Sequence, residues 1–291
     1  MAISAQDVKS LRDRTGAGMA DCKKALEEAG GDMEVAIEVL RKKGAATAAK
    51  RADKAANEGV VATAISEDRK SAAIVEVNCE TDFVARNEEF STFTRKLAKH
   101  VLDNEPSDMD SLLNGEIEGK SVQTWLNELL GKFSERIEIK RFDVLKTDGG
   151  FVADYVHNGD KLAVLIELSG SGDAEITAAL ARDIAMQVAA MNPAYVNRDE
   201  VPETVLEKER EIYREQTINE GKKPEFADKI IAGRLEKYYT DACLLEQTFV
   251  KDSSKVIRDI LADFSKNAGN DITVIRFTRY NLGENAPASS N

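Results

Sequence analysis

The sequence predicts an α+β fold: a small N-terminal three-helix module, a duplicated α+β core with antiparallel sheets, and an antiparallel helical hairpin inserted in its second half. Three observations predict it. Apolar residues recur at helical spacing through residues 1–43. Two stretches of the middle align without gaps at an offset of 91, and two densely charged, helix-periodic segments fall within 193–242. With 291 residues, of which 42% are hydrophobic, the chain can bury the core this fold requires.

Ser4 can cap the first helix, whose inner face carries Val8 and Leu11 and which Gly16 and Gly18 punctuate. Met19, Cys22, Ala25, Leu26 and Ala29 mark a second helix that Gly30-Gly31 stops. Asp32 is an N-cap for a third, with Ala36, Val39 and Leu40 inward. An Ala-rich linker follows over 44–58. Its approach is basic: Arg41, Lys42, Lys43, Lys50, Arg51 and Lys54 stand against Asp53 alone. Such a run is either a solvated helical linker or a contact for an acidic partner.

In the repeat, Gly59-Val60-Val61-Ala62 matches Gly150-Phe151-Val152-Ala153, and Ala72–Val77 matches Ala163–Leu168. Each copy is an apolar run, a polar turn (Ser66–Arg69, His157–Asp160) and a second apolar run, which is a β-hairpin pattern. A helix follows each, lined by Phe90, Phe93, Leu97 and Val101 in one and by Ile176, Leu180, Ile184 and Val188 in the other. Between the copies lie a loop near 104–110, a helix near 121–132 and an alternating strand over Ile137–Phe142. Beyond Pro193, helices are expected at 203–220 and 224–241, joined at Gly221-Lys222-Lys223-Pro224, then a helix near 253–267 and a strand over Ile272–Phe277. The implied division is a three-helix domain (1–43), a linker (44–58), a first core subdomain (59–148), a second built from 149–192 and 243–280, a helical insertion (193–242) and a polar tail (281–291).

Net charge is −12, which disfavours non-specific binding to a phosphate backbone. No apolar run reaches membrane-spanning length, and the first residues lack a signal-peptide pattern, so the cytoplasm is the expected compartment. Cys22, Cys79 and Cys243 lie far apart with no CxxC, and the two histidines, His100 and His157, show no ligand spacing. No metal or cofactor is expected. Gly119-Lys120-Ser121 resembles the end of a phosphate loop, but Asn114 stands where that loop needs its first glycine. No set of residues points to catalysis.

One segment stands apart: Asn78-Cys79-Glu80-Thr81-Asp82-Phe83-Val84-Ala85-Arg86, which leaves an apolar strand and enters a charged helix start. Thr81 or Asp82 can cap that helix. Phe83 either folds back onto its own core or projects as an aromatic anchor beside a carboxylate.

Two long motifs, Leu11–Met19 continuing through Asp21–Leu26, and Glu76–Ala85, closely resemble the signatures of the bacterial elongation factor Ts family in order and spacing. The resemblance implies a ubiquitin-associated-like N-terminal domain, a core of two related subdomains and a coiled-coil hairpin. It implies a non-enzymatic translation elongation factor that binds elongation factor Tu carrying GDP, dislocates its magnesium ion and promotes GDP release so that GTP can bind. By the same resemblance Thr81, Asp82, Phe83 and Val84 act on the magnesium site. Arg12, Met19, Lys23, Phe133 and Ser134 then contact the partner's GTPase domain, and His157 and Val250 its third domain. Phe133-Ser134 is bulkier than the family's usual aliphatic-glycine pair. The helical hairpin leaves open a homodimer or 2:2 complex, another partner, or a hairpin that simply projects. Two further readings stand at this point: an adaptor that binds through residues 1–43, and an enzyme using the Gly119-Lys120-Ser121 loop.

Overall fold

The computed structural model describes residues 3–51, 53–222 and 226–284. The chain opens with α1 (Ala5–Thr15), α2 (Met19–Glu28) and α3 (Met33–Arg51), packed around Leu11, Cys22, Leu26 and Ala36. Ser4 caps α1 through a capping box with Asp7, and Gly16 ends it in the left-handed region. The Asp32 carboxylate accepts from the Glu34 and Val35 amides and so caps α3.

The third helix does not stop at Lys43. It runs on to Arg51 through the stretch expected to be linker, because Gly44 is where α3 crosses α7 (Val122–Phe133) backbone to backbone. A Cβ on Gly44 would overlap the carbonyl oxygen of Asn127, whereas one on Gly131 would meet α3 at an ordinary 3.6 Å. Arg41 bonds Glu128 at 3.0 Å beside the crossing. Gly44→Ala should gain up to about 1 kcal/mol of helix propensity. It should lose about 1–3 kcal/mol to overpacking against a backbone that cannot yield, and overpacking wins. Thermal unfolding should show a lower midpoint, with faster proteolysis after Arg51, while Gly131→Ala stays near wild type; a raised midpoint for Gly44→Ala would exclude the close crossing.

The core repeats one unit. In the first copy β1 (Glu58–Ile65) and β2 (Ser71–Cys79) form an antiparallel hairpin. After it come α4 (Asp82–Ala85), α5 (Glu88–Asn104), α6 (Met109–Asn114), the small hairpin β3 (Glu116–Ile117) and β4 (Lys120–Ser121), α7, and β5 (Ile137–Lys146), which pairs with β2. The expected loop near 104–110 thus ends in a helix, capped by Asp108. The second copy has the hairpin β6 (Phe151–Val156) and β7 (Leu162–Leu168), then α8 (Ala174–Met191), α9 (Glu203–Asn219) and α10 (Ala227–Ala242). It closes with β8 (Thr248–Phe249), β9 (Asp252–Val256), α11 (Ile257–Ala268) and β10 (Val274–Asn281), which pairs with β7.

Each three-stranded sheet has its hairpin's second strand in the centre. One face of the first sheet packs on α5 and α7, and one face of the second on α8 and α11. The other faces meet across a layer of Val61, Ala72, Ile74 and Leu145 against Val152, Ala163, Leu165 and Tyr280. These are repeat-related pairs, and the bonds across the layer are reciprocal. The Val61 amide donates to the Asp160 carbonyl at 2.7 Å, and the Val152 amide to the Arg69 carbonyl at 2.9 Å. Thr63 meets its own counterpart Asp154 at 2.5 Å, at the same offset of 91 residues. The two copies are therefore related by a pseudo-two-fold axis through this layer.

Three further expectations need correction. Asp252–Val256 is a strand, because it pairs with Thr248–Phe249, and the helix begins only at Ile257. The last strand starts at Val274, beyond a hydrogen bond from the Ser169 amide to the Thr273 carbonyl, and continues to Asn281. Ile176 does not face the core; it lies exposed in the first turn of α8. In the inserted hairpin, Leu206 and Ile231 are buried, but Ile212, Ile218 and Phe226 are exposed. Part of its joint (223–225) and most of the polar tail (285–291) lie outside the described residues, as do Met1 and Ala2.

Candidate functional site

The site grows from the end of β2. The ladder between β2 and β5 closes at the pair Cys79 and Ile137, and beyond it the strands part. Two carboxylates then replace the ladder. The Thr81 amide donates to one Glu135 oxygen at 3.0 Å and its hydroxyl to the other at 2.7 Å. The Arg136 amide donates to Glu80 at 2.6 Å, and Arg51, at the end of α3, grips Glu80 through Nε and a terminal nitrogen at 2.6 and 2.7 Å. The Arg51 guanidinium holds the Glu80 carboxyl well below its ordinary range, down to about 2.

On this base sits α4, one turn long. Thr81 is its N-cap, accepting from the Val84 amide. Val84 and Ala85 point into the first core, whereas Phe83 is 84% exposed, so it does not fold back onto that core. Asp82 pairs with Arg86 at 3.2 Å. The helix breaks at Arg86, and Asn87 caps α5. In the second copy the matching residues, Gly172-Asp173-Ala174-Glu175, lead directly into one unbroken helix and carry no aromatic.

Phe133 and Ser134 lie next to this turn. Phe133 is half-buried against the first core, and Ser134 ends α7 in the left-handed region (φ 55°), which aims Glu135 back at Thr81. The N-terminal helices reach the same place. Gly16 lies over Lys132, Lys132 pairs with Glu89, and a cleft of about 440 Å³ is lined by Asp13–Ala17, Asp21, Lys132 and Ser134 among others. Arg12, Met19 and Lys23 are exposed around that turn, Lys23 loosely paired with Glu27 at 3.8 Å.

His157 and Val250 stand on the second copy, and among the described residues no hydrogen bond or ion pair joins them to Thr81–Val84. His157 sits in the β6–β7 turn with Nδ1 2.8 Å from the Tyr155 hydroxyl. Val250 is exposed in the β8–β9 turn, where its amide donates to the buried Gln187 at 2.8 Å.

Elsewhere the chemistry is structural. Lys120 pairs with Glu128 at 2.5 Å and Ser121 caps α7, which leaves neither aimed at a phosphate. The three cysteines are buried, and burial pushes the Cys79 thiol up to about 12. His100 packs beside Gly115, and burial lowers its pKa.

Sequence reasoning passed over Glu135, Glu80 and Arg51 as anchors of the segment. Thr81 and Glu135 are 54 residues apart, and no local pattern signals that contact.

The family model described as Elongation factor TS matches residues 80–284, beginning at Glu80 itself. The chain is 49% identical over 285 residues to Elongation factor Ts of Prosthecochloris aestuarii, which covers 97% of this chain and 99% of that protein. It is 50% identical over 285 residues, with the same coverage, to the protein of that name from Chlorobaculum parvum. Against the one from Clostridium perfringens it is 46% identical over 283 residues, covering 97% of this chain and 93% of that protein. A family match from the anchored turn to the last strand, with relatives this similar along nearly their whole length, means that the chain belongs to the elongation factor Ts family.

Proposed function

We propose that this protein is a guanine nucleotide exchange factor: it binds elongation factor Tu carrying GDP, displaces the magnesium ion there and promotes GDP release so that GTP can enter. The observation that carries the reading is Phe83, an aromatic ring held in water on a capped turn. A soluble chain exposes such a ring at a cost unless a partner covers it. In this reading Phe83 wedges into the partner's GTPase domain with Asp82 beside it, Thr81 and Val84 anchoring the turn. Arg12, Met19, Lys23, Phe133 and Ser134 extend the same surface, and His157 and Val250 touch the third domain. The setting is cytoplasmic. Exposed Ile218 and Phe226 on the helical hairpin suit a contact with a second copy, giving a homodimer or a 2:2 complex.

No bond is made or broken. Exchange requires only that the factor bind the nucleotide-free partner more tightly than the GDP-bound one, and linkage then makes it weaken GDP by the same factor. Covering one Phe supplies about 1.5–3 kcal/mol. Each tenfold in affinity needs about 1.4 kcal/mol, so the wedge accounts for one to two decades and the wider surface for the rest. The test is release of a fluorescent GDP from elongation factor Tu, chased with excess unlabelled nucleotide. Added protein should accelerate it in proportion to concentration before saturating. A release rate independent of added protein would remove the reading.

A further inference from the structure

We propose that Glu135 is a positioning residue for exchange, holding Thr81 so that Phe83 projects; the inference rests on the exchange reading above. Its carboxylate takes both protons that Thr81 offers, the amide at 3.0 Å and the hydroxyl at 2.7 Å. The bonds are charge-assisted and bidentate, the arrangement that most restricts a backbone segment. With its proton committed to Glu135, the Thr81 oxygen turns a lone pair to the Val84 amide and caps α4. Phe83 lies between these two anchored residues. Glu80 mirrors the clamp by accepting from the Arg136 amide, and Arg51 ties it to the N-terminal helices.

The second copy shows that the fold does not need this device. There the counterparts of Glu80-Thr81 are Ser171-Gly172, and those of Glu135-Arg136, read through the 135-residue offset that relates β5 to β10, are Asn270-Asp271. No carboxylate of the closing strand grips that segment among the described residues: the Gly172 amide donates to the Thr177 hydroxyl at 3.1 Å, the Asn270 side-chain amide donates to the Ser171 carbonyl at 3.1 Å, and the Asp173 carboxylate only caps α8. That copy closes its sheet and starts its helix all the same, with Ala174 where the first copy has Phe83. Clamp and aromatic occur together in one copy and are absent together from the other. Positioning, rather than closure of the sheet, accounts for that pairing.

The test compares stimulated GDP release by wild type, Glu135→Ala, Phe83→Ala and the double variant, with amide hydrogen exchange at Thr81 as a second readout. Glu135→Ala should lower the maximal rate about tenfold, the scale of a lost hydrogen bond to a charge. The concentration giving half the maximal rate should change less, and Thr81 amide exchange should quicken. In the Phe83→Ala background the same change should have almost no further effect on release, because no ring remains to be aimed. Glu135→Gln keeps the volume and one acceptor and should fall between, which covers the case of an alanine variant that folds poorly. A Glu135→Ala rate equal to wild type, or an equal fractional loss with and without Phe83, would overturn the clamp. If wild type itself fails to accelerate release, the exchange reading falls and the clamp's purpose with it; acceleration by wild type with an unaffected Glu135→Ala removes the clamp alone.

Discussion

Replacing Phe83 with alanine is expected to lower stimulated GDP release from elongation factor Tu by about 10- to 100-fold while leaving the free protein as stable as before. The range follows from the about 1.5–3 kcal/mol that covering a Phe side chain contributes, at about 1.4 kcal/mol per decade. The unchanged stability follows from exposure. Phe83 is 84% exposed, so truncating it removes little from the core. Surface changes of this kind fall within about 0.5 kcal/mol, or about 1–2 °C in a chain of this size. Val84 supplies the opposite control, since it is buried in the first core one position away. Val84→Ala should lower the unfolding midpoint and affect exchange only as far as α4 loosens. A Phe83→Ala protein that exchanges at the wild-type rate would remove the wedge and leave family membership untouched.

Much of the architecture is legible because repeated burial leaves repeated sequence. Val61 and Val152, Ala72 and Ala163, Ile74 and Leu165 occupy equivalent places in one apolar layer, so the 91-residue offset carries a pseudo-two-fold axis. The reciprocal backbone bonds across that layer leave no trace in side-chain identity. Failures occurred where a tertiary contact overrode a local signal. Gly44 opens the expected linker yet lies inside α3, where its missing side chain admits α7. Asp252–Val256 is drawn into a strand by Thr248–Phe249. Phe83 shows the limit most plainly. The residues on either side of it fit both a buried and a projecting ring, and the choice is made by Glu135, 54 residues beyond Thr81.

The largest expected loss of stability comes from one of two ion pairs that the pseudo-symmetry places alike. Glu76 in β2 faces the layer between the sheets at 1% exposure, and Arg141 bonds it at 2.7 Å. Glu167 in β7 is its counterpart, and Arg276 bonds it at 2.7 Å. Each arginine also reaches the opposite unit, Arg141 toward the Asn281 carbonyl at 3.4 Å and Arg276 to the Lys146 carbonyl at 2.8 Å. Their burial differs. The Arg141 side chain is 13% exposed and stacked 4.0 Å over Tyr280, whereas that of Arg276 is 54% exposed. Removing a guanidinium that water cannot replace strands a buried charge, at about 3–5 kcal/mol. Removing one that water can replace costs about 1 kcal/mol. Arg141→Met should therefore lower the unfolding midpoint by on the order of 10 °C, and Arg276→Met by only about 2–4 °C. Equal drops would mean that position in the repeat, not burial, decides the cost. Adding Glu76→Leu to Arg141→Met should recover most of the loss, because a buried pair exchanged for apolar groups is often neutral. If the double variant stays as unstable as the single one, the arginine acts chiefly through Tyr280 and Asn281, joining the two units rather than neutralising Glu76.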